Sequence, residues 1–345
     1  PFHSGRPHVP LMNIVTEKTL VNALAGLLAT GGSTNHTLHL IAIARAAGIH
    51  ITWQDMADLS RVVPLIARVY PNGEADINQF HAAGGMAFVI DQLLSAGLLH
   101  EDVMTVAGPG LSRYRQVPTL KNETLQNNAT VEWQAFDGKS VDPAILRPVT
   151  APFQEEGGLR LLTGNIGQAV IKVSAVARER WQITAPARVF YTQEAVFQAF
   201  EAGELNRDVV VVLPGQGPQA CGMPELHKLT PFLGVLQDRG FKVALVTDGR
   251  MSGASGKVPA AIHVSPEAVD GGWIARVRDG DEICVDALAN RLHCNVSDAE
   301  LSARTTTIPP PDQHGLGREL FAHLRAQMSH ADAGASFLFD EGEFA

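Results

Sequence analysis

The chain has 345 residues, 45% of them apolar and 18% charged, enough for about two domains with a sizeable core. Its net charge of −9 argues against nucleic acid or an anionic membrane surface as a partner. There is no apolar run long enough for a transmembrane helix, no signal-peptide pattern over residues 1–16, and three distant cysteines without a CxxC. That usage points to a reducing, cytoplasmic setting, and the start at Pro1 is read as the mark of a piece of something longer.

Residues 17–106 read as mostly helical. Leu20, Val21, Leu24, Leu27 and Leu28 recur at helical spacing over Glu17–Thr30, and Gly31-Gly32 breaks the run. Ser33 or Thr34 caps a second helix, His36–Ala47, which Gly48 stops. A short helix is expected over Trp53–Ser60, an apolar run interrupted by Pro64 over Val62–Tyr70, a polar loop over Pro71–Asn78, and a helix over Met86–Ala96. Residues 107–157 carry Pro, Asn, Gly and Thr without periodicity and read as a connection with a few short strands.

From residue 158 the pattern turns β-rich. Strands are expected at Leu159–Leu162, Ala169–Val176, Ala187–Tyr191, Asp208–Leu213, Phe241–Val246 and Ala260–Val264. Helices are expected at Glu194–Ala202, Leu226–Arg239 and Gly317–Ser329. Trp273–Val277 and Glu282–Val285 around Asp279-Gly280-Asp281 suggest a hairpin, and Ser297 to Glu300 a capping box. Few β–α–β units are evident, so a barrel with peripheral helices fits better than a doubly wound sheet.

Four constellations can carry chemistry. The first is the Gly-rich segment 246–257, ValThrAspGlyArgMetSerGlyAlaSerGlyLys, expected at a strand's C-terminal end, where open α/β sheets place ligands. Its glycines 249, 253 and 256 are read as positive-φ positions. It is expected to expose Asp248, Arg250, Ser252, Ser255 and Lys257, a set suited to a small anionic substrate with Ser252 as base or nucleophile. A solvated turn is an equally weighted alternative.

The second is Gln219–Glu225, where Pro224 suits the first turn of the next helix and Glu225 is either a Mg²⁺ ligand or a helix-dipole partner. The third is Gly31-Gly32-Ser33-Thr34-Asn35, an anion site at a helix start or ordinary capping. The fourth, Gly164–Gln168 followed by Lys172, reads as a strand corner. Asp76 and His81 are placed in a polar loop that can face a site, and His36 and His39 at the edge of a core.

Taken in order, segments 31–35, 72–85, 164–172, 222–228 and 248–259 make this chain resemble the dihydroxy-acid and phosphogluconate dehydratases. GluLeuHisLys at 225–228, AlaSerGlyLysValPro at 254–259 and AspIleAsn at 76–78 lean toward the phosphogluconate branch. The resemblance implies the C-terminal part of such an enzyme. Residues 1–130 would be the end of an α/β catalytic domain, and 131–345 a swivelling β-barrel that lids the site.

It further implies Ser252 as base and Glu225 as a Mg²⁺ ligand. Ser33, Thr34, Asn35, Arg250 and Lys257 would bind substrate. An iron–sulfur cluster, of the 4Fe–4S type, would be ligated by cysteines outside this chain, so the isolated piece would be inactive. The expected reaction is dehydration of 6-phosphogluconate by a cytoplasmic homodimer that uses neither nucleic acid nor membrane. The alternatives are a branched-chain dihydroxy acid or another sugar acid as substrate, or a non-catalytic binding module.

Overall fold

The computed structural model describes residues 9–121, 130–251, 257–306, 308, 315 and 317–338. The chain divides into two compact units. The first holds residues 1–32, 46–49 and 59–157; the second holds 33–45, 50–58 and 158–345.

In the first unit, α1 (Glu17–Thr30) starts where expected, with a capping box between Thr16 and Thr19. Its apolar face buries Leu20, Leu24, Ala25, Leu28 and Ala29, and Gly31 ends it at φ +58°. The helices α2 (His36–Ala46) and α3 (Trp53–Val62) fall mainly and partly in the second unit. The expected loop at 71–78 instead leads into a helix, α4 (Ile77–Ala82). Asp76 caps it in a second box with Gln79, which takes that carboxylate as a local stabiliser. Next comes α5 (Gly85–Ser95), which buries Ala87, Phe88, Val89 and Leu93. Two small hairpins complete the unit: β1 (Met104–Thr105) with β2 (Gly108–Pro109), and β3 (Val117–Lys121) with β4 (Thr130–Gln134).

The second unit is a mixed α/β body around a closed eight-stranded barrel. Its strands are β5 (Leu159–Gly164), β6 (Gly167–Lys172), β7 (Gln182–Val189), β8 (Val209–Leu213), β9 (Val243–Thr247), β10 (Ala260–Ser265), β11 (Glu282–Asp286) and β12 (Arg291–Cys294). They close in the order β10-β6-β5-β12-β11-β7-β8-β9. The run β7-β8-β9-β10 is parallel. The remaining pairs are antiparallel apart from β12 with β5.

Parallel neighbours need crossovers. These carry α6 (Gln193–Glu201) between β7 and β8, then α7 (Pro218–Cys221) and α8 (Leu229–Asp238) between β8 and β9. The strands β8 and β9 are buried at every position, the continuous apolar pattern of strands covered on both faces. Leu162, Ile171, Ile183, Val210, Val246 and Leu292 fill the interior, each contributing about 1.5–3 kcal/mol of apolar burial. Two helices follow the barrel, α9 (Asp298–Ala303) and α10 (Arg318–Ala326).

Two expectations are corrected. Trp273–Arg276 is a 3₁₀ turn, and the hairpin is β11 with β12. The Asp279-Gly280-Asp281 corner precedes it: Asp281 turns back to the Arg278 N–H and is held by Arg304, so the Asp-Gly chemistry makes a corner rather than a hairpin. The helix expected from Leu226 starts at Leu229, and Pro224 lies outside it. The proline that opens a helix here is Pro218, at the start of α7. Among the described residues no helix is long and apolar enough to cross a membrane.

Candidate functional site

The site forms at the C-terminal ends of β8 and β9, which are neighbours in register from Val209↔Val243 to Leu213↔Thr247. Parallel pairing therefore brings loop 214–228 beside segment 248–251, as the strand-end reading required. Asp248 ties them together. Its carboxylate accepts from Gly215 N at 3.0 Å, Gln216 N at 2.8 Å and Ala268 N at 2.9 Å. Asp248 is buried rather than exposed as expected. Burial raises its pKa, while the three backbone N–H groups work against that.

Gly249 does not lie at positive φ, which corrects that reading; a Cβ there would meet Gln216 Cβ at 2.7 Å and Leu226 Cδ1 at 2.8 Å. It is glycine because two chains pass too close for a side chain. Ser252 and Ser255, with glycines 253 and 256, lie outside the described residues.

Arg250 faces Glu225. Its Nε donates to the Met223 carbonyl at 2.6 Å, and Nη1 donates to Glu225 Oε2 at 3.1 Å. The two residues also pair through their backbones as a parallel bridge. Glu225 thus sits ahead of α8, not in its first turn, and the helix-dipole role loses its geometry. Met223 holds this corner at φ +51°, a left-handed backbone that a methionine adopts only where its surroundings impose it.

The segment 33–35 joins the same place within the second unit. Thr34 is buried and its hydroxyl donates to the Met251 carbonyl at 2.7 Å, so it links two segments instead of capping α2. Ser33 Oγ accepts from Asn35 N at 3.3 Å. Lys257 is exposed. His36 and His39 are exposed too, and burial, then His36 and Arg250, lower the pKa of His39.

Two groups escaped the sequence reading. Glu267 is buried and accepts from Gln219 N at 2.9 Å and Ala220 N at 3.2 Å at the start of α7. Burial pushes its pKa up to about 7. His263 is fully buried on β10 at φ +59°. The signal was a lone imidazole inside the otherwise strand-like AlaAlaIleHisValSer. A cavity of about 480 Å³ lined by Arg45, Trp53, Gln168 and Asp332 lies elsewhere in this unit and contains none of the expected site residues.

A magnesium ion takes hard oxygen ligands, and the Glu225 carboxylate has the right chemistry. Among the described residues no group of three His, Cys, Asp or Glu gathers to hold a metal ion, so Glu225 offers a single carboxylate. The cysteines do not fit an iron–sulfur cluster. Cys284 and Cys294 are buried on barrel strands, and burial with nearby Asp248 pushes the Cys221 thiol up to about 12.

Family models describe two parts of the chain. Residues 6–114 match "Dihydroxy-acid/6-phosphogluconate dehydratase N-terminal" and residues 144–335 match "Dihydroxy-acid/6-phosphogluconate dehydratase C-terminal". The chain is 62% identical to a phosphogluconate dehydratase of Pseudomonas aeruginosa over 329 residues, 95% of this chain and 53% of that protein. It is 56% identical to the phosphogluconate dehydratase of Escherichia coli over 335 residues, 96% of this chain and 55% of that one. It is 39% identical to a dihydroxy-acid dehydratase of Ignicoccus hospitalis over 300 residues, 86% of this chain and 50% of the relative. The chain thus spans about half the length of the curated relatives it matches. With these models covering most of its length, and the motif segments 222–228 and 248–251 meeting at one strand end, the chain belongs to the dihydroxy-acid/6-phosphogluconate dehydratase family.

Proposed function

We propose that the parent of this chain dehydrates 6-phosphogluconate to 2-keto-3-deoxy-6-phosphogluconate, a step of Entner–Doudoroff sugar-acid catabolism. The observation that carries this reading is the 62% identity to a phosphogluconate dehydratase over 95% of the chain. The meeting of Glu225, Arg250 and the Thr34 turn in one unit supports it.

The chemistry removes the C2 proton and expels the C3 hydroxyl; the resulting enol then takes a proton at C3 and becomes the ketone. Arg250 uses two of its five N–H donors on Met223 and Glu225, and the others suit an oxyanion of the substrate. Ser252, two residues further on, is the proposed base for the C2 proton, its alkoxide favoured by adjacent positive charge. Magnesium, when bound with Glu225 among its ligands, would stabilise negative charge at the substrate carboxylate and C2 oxygen. Lys257, Ser33, Thr34 and Asn35 complete the proposed substrate shell, Lys257 toward the distal phosphate and Thr34 through its hold on Met251. An iron–sulfur cluster ligated outside this chain would supply Lewis acidity toward the C3 hydroxyl.

In the same reading residues 1–130 end a catalytic domain, and 131–345 form a domain that swivels over the site. The parent works as a cytoplasmic homodimer.

The test is turnover by the full-length parent with 6-phosphogluconate and with a branched-chain dihydroxy acid, in wild type and Ser252→Ala. The phosphorylated acid is expected to be preferred, and loss of the base to lower its rate on the order of 10²–10⁴-fold. Preference for the branched-chain acid, or normal turnover without the serine hydroxyl, would overturn the reading.

A further inference from the structure

His263 stands where β10 shifts register against β6, between Ile262 and Ser265. Its φ of +59° lies in a region that non-glycine residues enter only at a cost. In that conformation its backbone N–H donates to the Gly249 carbonyl at 3.0 Å. The ring lies beside the Trp53 indole, centroids 6.2 Å apart. The Trp53 N–H in turn donates to the Thr37 carbonyl at 3.0 Å.

A count of protons settles the tautomer. Thr37 has one hydroxyl hydrogen, and its Oγ1 is 2.9 Å from the Thr34 carbonyl, which can only accept. The hydrogen goes there. Oγ1 must then act as acceptor toward His263 Nδ1, 3.1 Å away. Nδ1 therefore carries the hydrogen. Burial, with Arg250 and His39 nearby, lowers the histidine pKa to about 3, so the ring is neutral and Nε2 is bare. Nε2 is buried and has no hydrogen-bond partner among the described residues.

These bonds run from one side of Arg250 to the other. The carbonyl before it, of Gly249, accepts from His263 N. The carbonyl after it, of Met251, accepts from the Thr34 hydroxyl. The Thr34 carbonyl accepts from Thr37, and Thr37 accepts from the His263 ring. The imidazole keeps one bare buried nitrogen here, a desolvation cost that an apolar side chain of similar volume would avoid.

We propose that His263 is a positioning residue for Arg250, which with Thr34 and Thr37 clamps the two carbonyls flanking it and so aims the guanidinium at the substrate's anionic group. This rests on the reading of Arg250 as a substrate-binding residue. Asparagine is the conservative replacement: it tolerates the left-handed backbone, and its Nδ2–H takes the place of Nδ1–H. Leucine fills similar space without a donor.

In the full-length parent, H263L and T37V are each expected to raise KM for 6-phosphogluconate about tenfold or more, with a smaller change in kcat. H263N is expected to recover most of that loss. The double variant H263L/T37V should be no worse than the worse single variant, because both break one chain of bonds. Equal KM defects in H263N and H263L, additive defects in the double variant, or a KM that H263L leaves unmoved would each overturn the proposal.

A ¹⁵N spectrum of histidine-labelled wild-type parent supplies a readout independent of substrate identity. One neutral ring should show hydrogen on Nδ1 and none on Nε2, a signal absent from H263N and altered in T37V. The opposite tautomer would sink the clamp even if 6-phosphogluconate is the substrate. The expected tautomer in a parent that turns over a different acid would sink only the substrate assignment.

Discussion

Two arginine–carboxylate groups in the second unit behave in opposite ways. On the hairpin side Arg304 has 7% of its side chain exposed and Asp281 has 10%. Its guanidinium donates to Asp281 at 2.5 and 3.0 Å, to Glu300 at 2.7 Å and to the Arg276 carbonyl at 3.1 Å. At the parallel-strand end Arg250 makes one 3.1 Å contact to Glu225, with side chains 32% and 22% exposed. A guanidinium whose two terminal nitrogens are both engaged, with only Nε left without a partner and water excluded, is a structural clasp. One held by a single carboxylate and a carbonyl, between left-handed Met223 and His263, is oriented and still has donors to offer.

The buried acids differ in the same sense. Asp281 is neutralised by arginine, whereas Asp248 and Glu267 are held by backbone N–H groups of loops 215–220 and of Ala268. Backbone donors shape a loop without adding a cation. The parallel end thus keeps its carboxylates buried while Arg250 remains directed elsewhere.

Removing each arginine separates the two roles most sharply. Arg250→Met is expected to lower kcat/KM of the full-length parent on the order of 10²–10³-fold, about 3–4 kcal/mol, with little loss of stability because the pair is partly exposed. A urea titration run beside the kinetics checks this; a large stability loss with normal kcat/KM would make Arg250 a clasp like Arg304.

Arg304→Met should do the reverse. Leaving Asp281 buried without its partner is expected to cost about 3 kcal/mol in urea unfolding, while molecules that remain folded keep their kcat/KM. A catalytic defect without lowered stability would erase the contrast.

The most gradual effect concerns Glu267. Its folded pKa, about 7, lies above the ordinary glutamate value of 4.5, so the folded chain holds this proton where the unfolded chain has lost it. Stability from this group therefore falls as pH rises from 4.5 to about 7, by at most about 1.4 kcal/mol per pH unit. Unfolding curves of wild type and Glu267→Gln across that window should converge or cross in this sense, the wild type losing ground as pH rises. Parallel curves would mean that Glu267 does not change its proton on unfolding.

Much of the fold was legible because local rules decided it. Thr16 and Gly31 bracket α1 as caps do, and the apolar runs at 209–213 and 243–247 are strands buried on both faces. Gly164 and Gly167 turn β5 into β6 as a corner should. The misses share a cause. Trp273–Val277 has strand composition yet winds as a 3₁₀ turn, because the Gly272 N–H is held by the Glu267 carbonyl and that of Ala275 by the Gly272 carbonyl. The early start of the helix after Pro224 failed because Leu226 N instead bonds to the Arg250 carbonyl. In both, other carbonyls claimed N–H groups that the pattern had assigned to regular structure, those of an adjoining turn for Gly272 and Ala275 and that of Arg250 for Leu226.

The same division runs through the site. Residue types and their spacing marked segments 31–35, 222–228 and 248–259 by themselves as glycine-bearing and dense in polar side chains. Chemistry of that kind is written in side-chain identity. Only the tertiary structure decided that Asp248 is a buried anchor, that Thr34 binds Met251, that Glu225 meets Arg250 before α8 begins, and that the His263 ring reaches the Thr37 hydroxyl. Those outcomes depend on which strands are neighbours in the closed barrel and on which donors remain once the backbone is paired. Both are properties of contacts far apart in sequence, 226 residues for Thr37 and His263, and no local pattern encodes them.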